Sequence, residues 1–194
     1  EEAIQLKIDE LGEKALKEKY EKFTLADKIF LWISFRVMVI GGYLKGYKGA
    51  AIVLNHYLSG QGKDLFVDPK YFRSSPVIDD FIKSYHQNFK VDSSRVREIT
   101  MNINPTQFGW QDANLRYMMN PFAITIKDSA AGRRLFSDFT IECEIFFHKY
   151  SKTTFKLFRN KLIVPDVLGI ALERLGMGKR FRLKSNWQEV SVYP

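Results

Sequence analysis

Ile29-Phe30-Leu31-Trp32-Ile33-Ser34-Phe35-Arg36-Val37-Met38-Val39-Ile40 is the most hydrophobic stretch of the chain, and it runs into Gly41-Gly42. Thr24 stands before it as an N-cap, with Asp27 three residues on in a capping-box position. The stretch therefore predicts a helix from Thr24 to Ile40, stopped by the glycine pair. A short basic turn (Lys45, Lys48) follows, then a second apolar run from Gly49 to Tyr57, closed by Ser59-Gly60-Gln61-Gly62. Together the two runs predict a helical hairpin, Thr24 to Asp64, at the centre of the molecule. A membrane span needs about 20 mostly apolar residues. This run is shorter and carries Arg36 in its middle, so the hairpin is expected as core or as an element that inserts after a conformational change.

Upstream, residues 1–22 read as a helical N-terminal extension. Ile4, Leu6, Ile8, Leu11, Ala15, Leu16 and Tyr20 recur at helical spacing among Glu and Lys, with Gly12 a weak point. Downstream, Ser74-Ser75-Pro76 opens a helix from Val77 to Phe89 whose core face is Ile78, Phe81, Ile82 and Tyr85. Past Asp92 the period changes to two. Val96–Ile103 and Phe122–Ile126 alternate, residues 110–119 are a short helix or a loop, and Asp128–Gly132 is a turn. Phe139, Ile141, Cys143, Ile145 and Phe147 share one strand face. A turn at Ser151-Lys152 then predicts a hairpin to Thr154–Phe158. Pro165 opens a last helix, ended by Gly176, and residues 180–193 form a closing strand. The sum is α+β: helices first, then a mostly antiparallel sheet with one late helix, in a single domain of 194 residues.

The net charge is +8 and the pI about 9.5. Ten bases fall between Lys149 and Lys184, opposed only by Asp166 and Glu173. This predicts an anion-binding face built from Lys149, Lys152, Lys156, Arg159, Lys161, Lys179, Arg180, Arg182 and Lys184. Its partner is anionic lipid or a phosphorylated precursor. Nucleic acid ranks lower, because strand alternation would turn Phe155, Phe158, Phe181 and Trp187 inward, away from stacking. Cys143 is the only cysteine, which excludes an internal disulfide and a cysteine-cluster zinc site. No secretory leader is visible, and the chain begins at Glu1, as expected of a domain cut from a longer polypeptide.

His56 is the first candidate for chemistry. It lies near the end of the second apolar helix, beside Asn55, Ser59 and Asp64, which could hold its tautomer or make a general-base pair. The competing reading is a histidine placed favourably at a helix C-terminus. Ser59–Lys63 fails as a phosphate loop: Tyr57 stands where a glycine is needed, and Asp64 follows the lysine. His56, His86 and His148 lack histidine neighbours, so neither a metal nor another cofactor is expected. No Gly-x-Ser-x-Gly elbow supports a serine hydrolase. Glu142 and Glu144 share a strand face, as solvated carboxylates or partners of Lys156.

Tyr47-Lys48-Gly49-Ala50-Ala51, then Leu54–Gly62 and Asp68-Pro69, together with the close Leu168–Leu175, Gly176-Met177-Gly178-Lys179-Arg180-Phe181 and Trp187, resemble the C-terminal toxin or effector domains of bacterial proteins used against competitors. The resemblance covers about half the chain and carries no catalytic residue. It implies an antibacterial domain, secreted or delivered into a target cell within a larger polypeptide, with a cognate immunity protein. Joined to the basic charge, it predicts action at the cell envelope. A nuclease or hydrolase toxin using His56 with Asp64, and a non-catalytic binding module, are the other two classes.

Overall fold

A computed structural model describes residues 2–59, 61–87, 97–104, 112–157 and 160–192. The class is α+β, with helices first, then a mostly antiparallel sheet and one late helix. The chain divides into two compact units, each assembled from separate stretches. Glu1–Lys63 with Ile145–Phe181 form a helical unit, and Asp64–Glu144 with Arg182–Pro194 form a sheet unit.

In the helical unit, α1 (Glu2–Leu16) buries Ile8, Leu11, Gly12 and Ala15. It ends sooner than its periodicity predicts. Glu18 adopts a left-handed φ of 55°, the Lys19 amide bonds back to the Lys14 carbonyl, and a 3-10 turn at Tyr20–Lys22 follows. Gly12 is a contact, not a weakness: a Cβ there would come within 3.2 Å of Pro165 Cγ.

The capping box opens α2 (Leu25–Leu44) as expected. Thr24 Oγ1 accepts from the Asp27 amide at 3.1 Å, and Asp27 Oδ2 accepts from the Thr24 amide at 3.0 Å. The helix does not stop at Gly41-Gly42. It runs on to Leu44, and the reversal comes at Gly46, with φ 81°. Gly42 stays helical because it faces the returning helix α3 (Lys48–Leu58), where its missing Cβ would lie 3.2 Å from Ala51 Cβ. Gly42 is thus a close-approach point between the two helices.

Strands β5 (Lys152–Leu157) and β6 (Asn160–Pro165) pair antiparallel, from Lys152↔Pro165 to Leu157↔Asn160. The hairpin expected between residues 139–147 and 154–158 is therefore not formed: residues 152–157 pair with the segment that follows them. Helix α7 (Val167–Arg174) buries Val167, Leu168, Gly169, Ala171 and Leu172, and Gly176 (φ 72°) turns the chain after it. A Cβ on Gly169 would fall 2.2 Å from the Phe147 ring. Phe147 in turn meets Phe35 and Tyr57 edge-on at 5.9 and 5.1 Å.

The sheet unit has the strand order β1-β7-β4-β3-β2. These strands are β1 (Leu65–Phe66), β2 (Arg97–Ile103), β3 (Phe122–Ala131), β4 (Arg134–Ile145) and β7 (Phe181–Val192). Leu135, Ser137, Phe139, Ile141, Cys143 and Ile145 of β4 point inward, while Asp138, Thr140, Glu142 and Glu144 point out, so the predicted alternation is realised. Its partner is β3, through a tight turn containing Gly132 (φ 60°), with Ala131↔Arg134 as the last pair. Opposite Glu142 stands Ala123, not the lysine expected there. Helix α4 (Lys70–Arg73) is one turn, and α5 (Pro76–Gln87) lays Ile78 and Ile82 into the core. Phe89, the expected end of α5, lies outside the described residues. Residues 113–118 form the short helix α6. Trp187 stacks on Phe139 at 4.9 Å with the rings 7° from parallel.

Candidate anion-binding site on the helical unit

Within the helical unit, α3 and the segment that runs from α7 to residue 181 meet in space. Tyr57 of α3, wholly buried, is their junction. Its carbonyl accepts from the Lys179 amide at 3.0 Å, and its hydroxyl lies 3.0 Å from the Gly169 carbonyl and 3.3 Å from Glu173 Oε2. A Cβ on Gly178 would sit 2.4 Å from the Tyr57 ring. Gly62, with φ 64°, packs beside Lys179 and Arg180. Burial first, and then the neighbouring Glu173 carboxylate, push the Tyr57 hydroxyl far above its ordinary range. It therefore remains a hydrogen-bond donor at any physiological pH. Nothing in the period of α3 singles Tyr57 out. The signal for it was Gly178, which is small because the Tyr57 ring presses on it, with Gly169 small for the neighbouring Phe147 ring.

His56, one residue earlier, belongs to the same junction. Its Nε2 is 2.8 Å from the Lys63 carbonyl and its ring meets Phe181 edge-on at 4.5 Å. A carbonyl oxygen only accepts, so Nε2 carries the proton and donates. The nitrogen is engaged in holding the end of α3 to the loop before Asp64. Its expected helpers are engaged elsewhere. Asn55 Oδ1 accepts from Arg36 Nη1 at 2.6 Å, and Ser59 Oγ donates to the His56 carbonyl at 2.7 Å. Asp64 belongs to the sheet unit, where Lys184 Nζ is 2.7 Å from its carboxylate. That lysine, and more weakly Arg182, hold the Asp64 carboxyl below its ordinary value. Each of the two predicted catalytic residues thus has its own structural partner. Gly60, in the loop between them, lies outside the described residues.

The predicted basic face divides between the units. Arg182 and Lys184 belong to the sheet unit, and Lys149, Lys152, Lys156, Arg159, Lys161, Lys179 and Arg180 to the helical one. Some are already paired. Lys149 meets Glu18 at 3.0 Å, and Arg180 Nε meets Glu173 at 2.8 Å, with its guanidinium 5.8 Å from the Phe146 ring. Lys152, Lys179 and Arg182 are exposed. Lys156 and Lys161 are cross-strand partners in backbone register, their side chains lying outside the description, and Arg159 lies outside the described residues altogether.

The division sharpens the electrostatics. The helical unit carries eighteen lysines and arginines against ten acids, whereas the sheet unit has twelve of each, so the whole net charge of +8 resides in the helical unit. Within it the acids gather on and just after α1, where Glu10 pairs with Lys7 and Lys14. Between Leu25 and Leu58 the single acid is Asp27, which is buried. Lys7 and Lys14 reach its two oxygens at 2.6 and 3.2 Å. Burial opposes ionisation of Asp27, yet Lys7, the Thr24 amide and Lys14 outweigh it and hold the carboxyl far below its ordinary range. The hairpin consequently shows solvent only positive charge: Lys28, Arg36, Lys45 and Lys48.

The sheet unit has a second polar constellation that sequence reasoning missed. The Tyr85 hydroxyl donates to Asp128 Oδ2. Asp128 Oδ1, Ser137 Oγ, Ser185 Oγ and His86 Nε2 are buried without a protein partner. Asp128 and Ser137 are direct cross-strand neighbours. Asp128, Ser137 and Ser185 are buried, while Tyr85 and His86, on α5, are half-buried. Among the described residues no three His, Cys, Asp or Glu side chains gather as a metal site requires, and no helix is long and apolar enough to cross a membrane.

Comparison with protein-family models, curated proteins and solved structures returns no match.

Proposed function

We propose that this chain is an antibacterial effector domain acting at the cell envelope, where its basic surface binds anionic lipid or a phosphorylated envelope precursor. The observation that carries the reading is the concentration of the entire net charge in the helical unit, with the only acid of the α2–α3 hairpin buried and neutralised. A surface with one sign of charge attracts the opposite sign and excludes its own. The envelope of a bacterium presents such anions as lipid headgroups and as phosphorylated carriers. The toxin part of the reading is supported by the resemblance of residues 47–51, 54–62, 68–69, 168–181 and 187, of which Tyr57 packs against Gly169, Glu173, Gly178 and Lys179. The reading gives His56 the role of donating from Nε2 to the Lys63 carbonyl at the end of α3.

Two measurements test the proposal. Cosedimentation with phosphatidylglycerol vesicles should be strong at low salt and weaken as salt rises, with little binding to phosphatidylcholine. Expression in a bacterial host should arrest growth when the domain is exported to the periplasm and not when it stays in the cytoplasm. Killing confined to the cytoplasm would move the target to nucleic acid, and harmless expression in both compartments would leave a binding module.

A further inference from the structure

Helix α2 is apolar on its outer face as well as its inner one. Leu31, Phe35 and Val39 point into the core. Leu25, Ile29, Trp32, Ile33, Ile40 and Leu44 lie on the other side, between 43% and 83% exposed. At about 100° per residue these six fall in one stripe along the length of the helix. A helix hydrophobic all round is ordinarily covered on every side, and a contiguous exposed apolar patch marks a surface that something meets. Near its N-terminal end, Leu25, Ile29, Trp32 and Ile33 border a shallow depression closed by Lys28 and Met177.

Charge selects the occupant. The stripe contains no acid, and the one charge within it is Arg36, held 5.0 Å from the Trp32 ring centre and bonded to Asn55. Lys28 flanks the stripe, and Lys45 and Lys48 stand past its end. A second copy of the chain docked about a two-fold axis would bring two Arg36 side chains together near the middle of the contact, a like-charge clash. Lipid meets both requirements, with acyl chains for the stripe and phosphates for the cations, which snorkel outward on their apolar stems. The helix is about 30 Å long, but Asp27, Lys28 and Arg36 keep it from spanning.

We infer that the outer face of α2 seats in the headgroup–acyl boundary of an anionic bilayer, with its axis in the membrane plane. Arg36, Lys28, Lys45 and Lys48 lie at phosphate level. The inference rests on the anionic-envelope reading and narrows it to a bilayer instead of a soluble phosphorylated precursor.

The test uses the full chain, a variant carrying Ile29→Asn and Ile33→Asn, and a Trp32→Phe variant that assigns the fluorescence. The probes are phosphatidylglycerol vesicles with and without brominated acyl chains. Both isoleucines are exposed, so the thermal transition of the asparagine variant should match that of the parent. The expected result is a loss of vesicle affinity of about tenfold or more in the asparagine variant. The parent should show a blue-shifted emission quenched by brominated lipid, and Trp32→Phe should lack it. A parent that binds while the asparagine variant binds equally well, with no quenching, overturns the α2 inference and leaves the anionic-surface reading standing. No binding of the parent to anionic vesicles overturns both. Self-association that the asparagine variant abolishes, without lipid binding, assigns the face to a second copy and overturns the inference as well.

Discussion

The helical and sheet units solve the same problem of burying apolar surface in different ways. In the sheet unit, alternation on β4 separates inside from outside, with Phe139, Ile141 and Cys143 in and Thr140, Glu142 and Glu144 out. Its charges balance. In the helical unit burial depends on missing side chains. Gly12 meets Pro165, Gly42 meets Ala51, Gly169 meets Phe147 and Gly178 meets Tyr57, each so close that a Cβ would intrude. The same unit leaves a stripe of α2 open and holds all the net charge. The sheet unit is therefore organised around its interior, the helical unit around its interior and a surface that is not yet covered.

The sharpest way to break this comparison is a pair of glycine substitutions. Gly169→Ala places a methyl 2.2 Å from the Phe147 ring and should cost about 3 kcal/mol or more by overpacking. Gly132→Ala, in the β3–β4 turn with open space around it, should cost only about 1 kcal/mol from its left-handed backbone. Denaturant unfolding of the two variants measures both. Equal losses would erase the distinction.

Asp27→Asn tests the neutralised acid. It removes the carboxylate that caps α2 and accepts from Lys7 and Lys14, and should cost about 2 kcal/mol at neutral pH. The folded-state carboxyl is depressed below its ordinary 3.8, so its stabilisation is full above that value and fades as pH falls below it. The gap between variant and parent should thus narrow in acid. A gap that stays constant with pH would mean the carboxylate charge contributes nothing.

His56→Ala comes next, at about 1 kcal/mol, because it removes one hydrogen bond to the Lys63 carbonyl and an edge contact with Phe181. Growth inhibition by the folded variant should be unchanged. Loss of inhibition at full stability would return His56 to the mechanism. The smallest effect belongs to the sheet unit: burial raises the Cys143 thiol to about 11, against an opposing backbone hydrogen bond from Asn120. At neutral pH a thiol reagent should label it only after denaturation.

Local order was legible in the residues themselves. The capping box at Thr24 and Asp27, the two-residue period of β4 and the glycine closing α7 each follow from interactions within a few positions, so α+β architecture and the order of elements could be read directly. Asp64 and His56 stand eight positions apart and looked like a pair, yet Lys184 and the Lys63 carbonyl hold them, and the first of these partners is remote in sequence. Strand pairing, the survival of Gly42 inside a helix, and the junction at Tyr57 were decided by packing between segments up to about a hundred residues apart. So was the exposure of α2. A run of apolar residues specifies that a helix will seek burial on every side. Only the tertiary structure determines which side obtains it, because the number of neighbours a helix receives is set by how the rest of the chain closes around it.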